Sequence, residues 1–378
     1  MSAPATKLLI IAGARPNFMK VAPLMKAAEF HNSRVGNDIP RFNCCLVHTG
    51  QHYDERMSEV FFRELGIPAP DVNLEVGSGS HAAQTAQIML KFEPVLLARN
   101  PDWVVVVGDV NSTMACTLVA SKLGIKVAHV EAGLRSFDRQ MPEEINRLVT
   151  DAIADLLLTP SEDASENLRK EGVAEQKIRL VGNIMIDALI ANLAASRASE
   201  VLQRLHVAPR EYVYVTLHRP SNVDSPEVLR TIIGELERLS ERLPVLFPMH
   251  PRTKRTIADS GILRAGYANF KIIDPVGYHD SLCLTENAQF VITDSGGLQE
   301  ETTYFQTPCL TVRNNTERPV TITHGTNKLT APDRLAGDIA ELTGSGAEAR
   351  LEKRVPPMWD GHTAERILGC FLSDDLKD

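Results

Sequence analysis

The stretch from Phe290 to Glu301 constrains the fold more than any other part of the sequence. A short apolar run, Phe290–Ile292, leads through Thr293, Asp294 and Ser295 into Gly296 and Gly297, and then into Leu298, Gln299, Glu300 and Glu301. This order reads as strand, tight turn and helix start, the repeating unit of an α/β fold. Asp294 and Ser295 suit a helix N-cap, and the two glycines let another group come close to the backbone. A helix N-terminus with open N–H groups seats a phosphate, and carboxylates in the first turn can accept from hydroxyls. The stretch therefore fits a ligand that carries both, such as a nucleotide.

The same pattern recurs along the chain. Lys7–Ala12 is a continuous apolar run, as a parallel strand covered on both faces requires. Gly13 and a helix over Val21–Phe30 follow it. Cys44–His48, Trp103–Val107, Val127–Val130, Leu156–Thr159 and Ile178–Val181 read as further strands, with helices over Met57–Leu65 and Met114–Leu123. Asp187–Leu205 reads as one long helix leading out of this half, and Pro209–Glu211 marks a boundary. The pattern restarts with strands at Tyr212–Thr216, Val245–Phe247, Phe270–Ile273 and Phe290–Ile292, and with a helix over Val228–Leu239. At 378 residues the chain is expected to form two domains of similar size.

Composition removes several classes of function. The net charge of −8 argues against general nucleic-acid or anionic-membrane binding. No apolar run reaches membrane-spanning length, and no leader-like segment opens the chain, so a cytoplasmic location is expected. The six cysteines lack CxxC spacing and read as free thiols. Only Gly13 stands where a dinucleotide fingerprint needs three glycines, which disfavours a nicotinamide cofactor. The histidines show no metal-ligand spacing.

The charged residues fall at strand ends. Arg15 and Lys20 follow the first strand, Asp109 follows Trp103–Val107, and Glu131 follows Val127–Val130. The carboxyl edge of an open α/β sheet is where ligands bind, so Asp109 and Glu131 are expected to converge there. Pro142 opens a helix whose buried stripe is expected to be Ile145, Leu148, Val149 and Ala152, with Glu143, Asn146 and Arg147 on its polar face. Arg135 lies just upstream. His218 and Arg219 follow the first strand of the second half, a position suited to phosphate contact or proton transfer.

Taken in order, these segments resemble a known family. Gly13 with Arg15-Pro16, Gly108-Asp109, His129 through Arg135, Pro142 through Arg147, His218-Arg219, Thr293 through Glu301 and Thr316 through Pro319 are similar to the motifs of the non-hydrolysing UDP-N-acetylglucosamine 2-epimerases. The resemblance implies two Rossmann-like doubly wound domains facing across a cleft, the GT-B arrangement. The expected limits are residues 1–185 for the first domain and 186–360 for a UDP-binding second domain, with a helix in 361–378 packing back on the first.

The implied reaction is reversible inversion at C2 of UDP-N-acetylglucosamine, giving UDP-N-acetylmannosamine, with no cofactor and no catalytic metal. Elimination of UDP gives a 2-acetamidoglucal, and re-addition follows. By the resemblance, Asp109, Glu131 and Glu143 are candidate acid/base groups and His218 assists. Arg15, Ser295 and Gly296 would hold the diphosphate and Glu301 the ribose, Gly297 would be a further substrate-binding residue, and Lys20, Arg135, Arg147 and Arg313 would line the site. A UDP-sugar is the expected partner, without nucleic acid or membrane, and a homodimer is expected. The chain departs from many relatives at Asn17 and Val320, where they carry Glu, and at Gln51–Asp54 and Gly77–His81, where regulated members carry an activator motif. A diacetamido or uronate UDP-sugar is an alternative substrate; a glycosyltransferase or a hydrolysing epimerase is an alternative activity on the same fold, and a nucleotide-sugar sensor without turnover is a third reading.

Overall fold

The structure is a computed structural model, and it describes residues 4–50, 69–249, 251–259, 261–262, 269–344 and 354–373. The expected helix over Met57–Leu65 and the Gln51–Asp54 segment lie outside the described residues. The chain divides into two compact units, one of Met1–Ala191 with Pro357–Asp378 and the other of Asn192–Pro356.

The first unit contains β1 (Thr6–Ala12), α1 (Arg15–Arg34), β2 (Phe42–His48), β3 (Val72–Asn73), α2 (His81–Arg99), β4 (Trp103–Val107) and α3 (Asn111–Lys122). It continues with β5 (Lys126–Val130), α4 (Pro142–Ile153), β6 (Leu156–Thr159), α5 (Glu162–Lys170), β7 (Ile178–Leu180) and the start of α6 (Ile184–Arg197). Its strands order as β3-β2-β1-β4-β5-β6-β7, every pair parallel. Leu8–Ala12 and Trp103–Val107 are buried along their whole length, as strands covered on both faces must be. Each fully buried Leu, Ile or Val side chain contributes about 1.5–3 kcal/mol relative to exposure. The chain reverses its direction of travel across the sheet between β1 and β4, and that switch point opens a crevice at the carboxyl ends of these two strands.

The second unit repeats the plan. It comprises α7 (Val201–Leu205), β8 (Val213–Thr216), α8 (Pro220–Val223), α9 (Pro226–Ser240), β9 (Val245–Pro248), α10 (Pro251–Asp259), β10 (Phe270–Ile273) and α11 (Tyr278–Asn287). β11 (Phe290–Thr293), α12 (Gly296–Phe305), β12 (Cys309–Val312), α13 (Val320–Thr323), β13 (Asn327–Thr330) and α14 (Leu335–Thr343) complete it. Its order is β10-β9-β8-β11-β12-β13, again all parallel, with the switch between β8 and β11. Leu229, Ile232, Ile233 and Leu236 of α9 pack on Val213, Val215, Ile292 and Leu310 of this sheet.

The last helix, α15 (Thr363–Leu372), belongs to the first unit. The backbone N–H groups of Thr363 and Ala364 donate to the Asp187 carboxylate at 3.2 and 2.7 Å, capping the helix from a residue far earlier in the chain. The Phe371 ring stands edge-on to Trp103, 5.4 Å between centroids.

Two expectations about helices fail. Asp187–Leu205 is not one helix: it breaks after Arg197, where the Ser199 hydroxyl donates to Asp280 and accepts from Val201 N–H. A side chain that bonds locally in this way competes with the helix backbone. The second failure concerns α4, which is turned inside out. Glu144, Asn146, Arg147, Thr150 and Asp151 are its buried residues, while Ile145 and Ala152 are exposed and Leu148 and Val149 half-buried. The polar face goes inward because it finds ion-pair and hydrogen-bond partners there, described below. Among the described residues, no helix is long and apolar enough to cross a membrane.

Candidate active site

At the first switch point, β1 ends in Gly13 and Ala14 and β4 ends in Gly108 and Asp109. The Asn17 side-chain oxygen accepts from the N–H groups of Gly13 and Ala14 at 3.0 and 2.9 Å, and its amide donates to the Val107 carbonyl at 3.1 Å. One side chain thus ties the two strand ends together. A glutamate at this position could accept the first two bonds but could not donate the third.

One turn along α1, Lys20 donates to Glu131 at 2.5 Å, and both are buried. Gly108, at φ +66, makes room for this pair, since a Cβ there would lie 2.7 Å from Lys20 Nζ. Glu131 itself sits at φ +70, a backbone strain that non-glycine residues show mainly where function needs the side chain re-aimed. Its second oxygen, Oε1, is buried without a hydrogen-bond partner. Asp109 accepts from Arg147 Nε at 3.2 Å and keeps its carboxylate part-exposed. Arg147 also donates to Glu144 at 2.8 Å, and the Asn146 amide donates to the Asp109 carbonyl at 2.8 Å. The inward polar face of α4 therefore serves to hold the end of β4.

Arg135 stands elsewhere. Expected to line the site, it is instead buried, with Nε and Nη2 on Glu171 and Nη1 on Asp151 and the Leu134 carbonyl. Burial opposes its charge, but the two carboxylates more than offset this and keep the guanidinium ionised. Its geometry is that of an internal tie. Glu143 is half-buried, and its neighbour Glu144 takes the structural bonds, accepting from the N–H groups of Ser136 and Phe137. The Arg15 side chain lies outside the described residues.

The second switch point carries a different set. The Asp294 carboxylate does not cap α12. It turns across the crevice to the end of β8, where it accepts from the N–H groups of His218 and Arg219 and from the Asn222 amide. It also lies 2.9 Å from His218 Nδ1, which leaves the far side of that ring toward solvent. Burial alone would push the Asp294 carboxyl up, yet the bonds and charge from His218, with Asn222 and Arg219 added, hold it below its ordinary range. His218 is thus a carboxylate-oriented imidazole, 61% exposed.

Ser295 leads into α12 without a side-chain cap bond. A Cβ on Gly296 would lie 2.8 Å from Arg318 Nη1, so a guanidinium sits over the glycine turn. Arg318 is held there by Glu300 at 2.7 Å and by Glu317, and Glu317 also accepts from Arg313 at 2.6 Å. Thr316 donates to Gln299 at 2.7 Å. Among the described residues, Arg313 Nη1 and Glu301 Oε2 are buried without a hydrogen-bond partner. Burial, with the neighbouring Glu300 charge, pushes the Glu301 carboxyl up to about 8. Unsatisfied buried groups and a guanidinium over a glycine turn have the chemistry to meet an anion and hydroxyls.

Sequence reasoning missed Asp294, Arg318, Asn17 and Asp151 as working parts. Arg318 could have been found, because it lies within Thr316–Pro319. The partners of Asp294 and Asp151 are far away in sequence and gave no local signal.

Two Rossmann-ordered sheets, each with polar groups gathered at its switch point, define a nucleotide-handling α/β protein. Comparison with known proteins narrows this. The family model for UDP-N-acetylglucosamine 2-epimerase matches residues 36–371. The chain is 42% identical over 372 residues to UDP-N-acetylglucosamine 2-epimerase of Methanocaldococcus jannaschii, covering 96% of this chain and 98% of that protein. It is also 40% identical over 332 residues to UDP-2,3-diacetamido-2,3-dideoxy-D-glucuronate 2-epimerase of Pseudomonas aeruginosa, covering 87% and 89%. The crystal structure of the M. jannaschii enzyme in complex with UDP-GlcNAc and UDP aligns with a TM-score of 0.84 at 41% identity, covering 97% of this chain and 99% of that one. The chain belongs to the UDP-N-acetylglucosamine 2-epimerase family.

Proposed function

We propose that the protein inverts C2 of UDP-N-acetylglucosamine reversibly, giving UDP-N-acetylmannosamine. The observation that carries this reading is the arrangement at the ends of β4 and β5, where Asp109 and Glu131 stand as two carboxylates, each with its own cation. The C2 hydrogen is not next to a carbonyl, so its removal needs a leaving group at C1. A carboxylate takes the C2 proton, the C1–O bond breaks with its electron pair going to UDP, and C1=C2 forms. UDP then adds back at C1 while a proton reaches the opposite face of C2. Two acid/base groups satisfy this requirement, and Asp109 and Glu131 are the pair best suited, with Glu143 as a third candidate. The cradle of Ser295, Gly296, Gly297, Arg313 and Arg318 suits the diphosphate, Glu301 suits the ribose hydroxyls, and His218 suits the leaving phosphate oxygen.

Incubation with UDP-N-acetylglucosamine in heavy water tests the reading. The expected outcome is UDP-N-acetylmannosamine bearing deuterium at C2. Product without deuterium, or accumulation of free N-acetylmannosamine with UDP, would overturn it. The similarity to the P. aeruginosa enzyme favours one second reading, a diacetamido uronate substrate, and running the same assay on that UDP-sugar decides between them.

We further propose that the protein works as a homodimer in the cytoplasm. Leu90 and Leu97 of α2 are 66% and 61% exposed, and α4 directs Ile145 outward. A second copy offers the same apolar helices, which is what a two-fold interface requires. Sedimentation should give a dimer, and Leu90→Glu with Ile145→Glu a monomer; a monomeric parent at micromolar concentration rejects the interface.

A further inference from the structure

His129 lies in β5 with no exposed surface. Its two ring nitrogens face different partners. Nε2 is 2.8 Å from the carbonyl oxygen of Gly108, and Nδ1 is 2.6 Å from Asp151 Oδ1. A carbonyl only accepts, so Nε2 must carry a proton. The other Asp151 oxygen accepts from Arg135 at 2.7 Å and from the Gly133 N–H at 3.0 Å, and the guanidinium charge beside it favours the ionised carboxylate. Nδ1 must then donate as well.

We infer that His129 is a buried imidazolium that acts as a positioning residue. It holds the Gly108–Asp109 peptide at the end of β4 against Asp151 of α4, the helix that also supplies Asn146 and Arg147 to Asp109. The charged groups that face it are Asp151 from α4 and, through Asp151, Arg135, whose other partner is Glu171 beside α5. Together they form a line of alternating charge running inward from the surface: Glu171, Arg135, Asp151, His129. Burial by itself would push the Asp151 carboxyl up, but the His129 ring and the Arg135 guanidinium hold it below its ordinary range, in keeping with an ionised bridge between two cations. A neutral ring could make only one of the two bonds as donor. The charged ring makes both, so the carbonyl of Gly108 and the side chain of Asp151 are drawn to one point, and the stretch bearing Asp109 is fixed from behind. Its role in turnover rests on the proposed epimerase reading; its charge does not.

The test uses the full chain. Long-range proton–nitrogen NMR of the histidine rings, with His129→Gln to assign the signal, should show both ring nitrogens of His129 carrying protons under the conditions of the assay, as two accepting partners require. A neutral ring pattern under those conditions overturns the inference, whatever the reaction proves to be. In the assay, His129→Gln keeps a donor for one partner but no charge, and should lower kcat by about 100-fold, the effect of displacing a reacting group by roughly 1 Å. KM should stay within about twofold, as expected when only the reacting step suffers. Unchanged kcat in a folded variant removes the positioning role even where the ring is charged. A KM rise with kcat intact places His129 in substrate binding and equally rejects it.

Discussion

The two units share one strand order and one kind of switch point, yet they fill it in opposite ways. In the first, the crevice holds ion pairs, Lys20 with Glu131 and Arg147 with Asp109, backed by Arg135 and His129 on Asp151 behind it, and Glu131 Oε1 is left unbonded. In the second, two polar atoms, Arg313 Nη1 and Glu301 Oε2, are buried and unbonded, and Arg318 is laid over Gly296. Charges paired within the protein are fixed in place and can move a proton at a set position. Groups left unsatisfied wait for a partner from outside. On the proposed reading the same topology serves chemistry in one unit and binding in the other, and the difference lies in the loops after β4, β5, β8 and β11.

The contrast can be broken most directly at Asp109. Asp109→Asn should lower kcat by about 100- to 10,000-fold, the range for losing an acid/base group, while UDP affinity measured by calorimetry stays within about twofold. Loss of both would mean the units do not divide the labour. Arg313→Met should do the reverse, weakening UDP binding roughly 10- to 100-fold, as expected for one hydrogen bond to a charged group. Unaltered affinity would show that its unbonded nitrogen does not face the nucleotide.

A smaller effect sharpens the picture at Glu301. Its carboxyl is pushed up to about 8 in the folded protein from an ordinary value of 4.5. The folded state therefore holds the proton that the unfolded state gives up, and stability falls as pH rises through that window. Glu301→Gln removes this loss, so the melting temperature of the variant relative to the parent should climb between about pH 5 and about pH 8. A flat difference would show that the carboxyl is already satisfied. The smallest change is Asp187→Ala, which uncaps α15 and should cost about 1 kcal/mol in denaturant unfolding of the first unit, with UDP affinity untouched.

Much of the fold was legible because parallel strands write themselves as unbroken apolar runs. Leu8–Ala12 and Trp103–Val107 could hardly be anything else. Glycine turns and strand-end charges also pointed to Asp109, Glu131, His218 and the Ser295–Gly297 turn, which lie just after β4, β5, β8 and β11. What the sequence hid were orientations. The α4 periodicity separates an apolar from a polar face, but it does not say which one goes inward. Burying the polar face is favourable only because Asp109 and His129 wait on the sheet beneath. For the same reason Arg135 looked available to a ligand, although Asp151 and Glu171 already occupy it. Asp294 reads as a helix cap by position, and only the fold brings the β8 end close enough to claim its carboxylate.

The cap that Asp187 places on α15 has a consequence for how the molecule is made. Residues from both ends of the described chain complete one body, and the whole of the other is translated between them. While the ribosome is still working through residue 356, the earlier body lacks the helix that covers Trp103, although the later one already has every strand of its sheet. Order of synthesis and order of completion are therefore reversed.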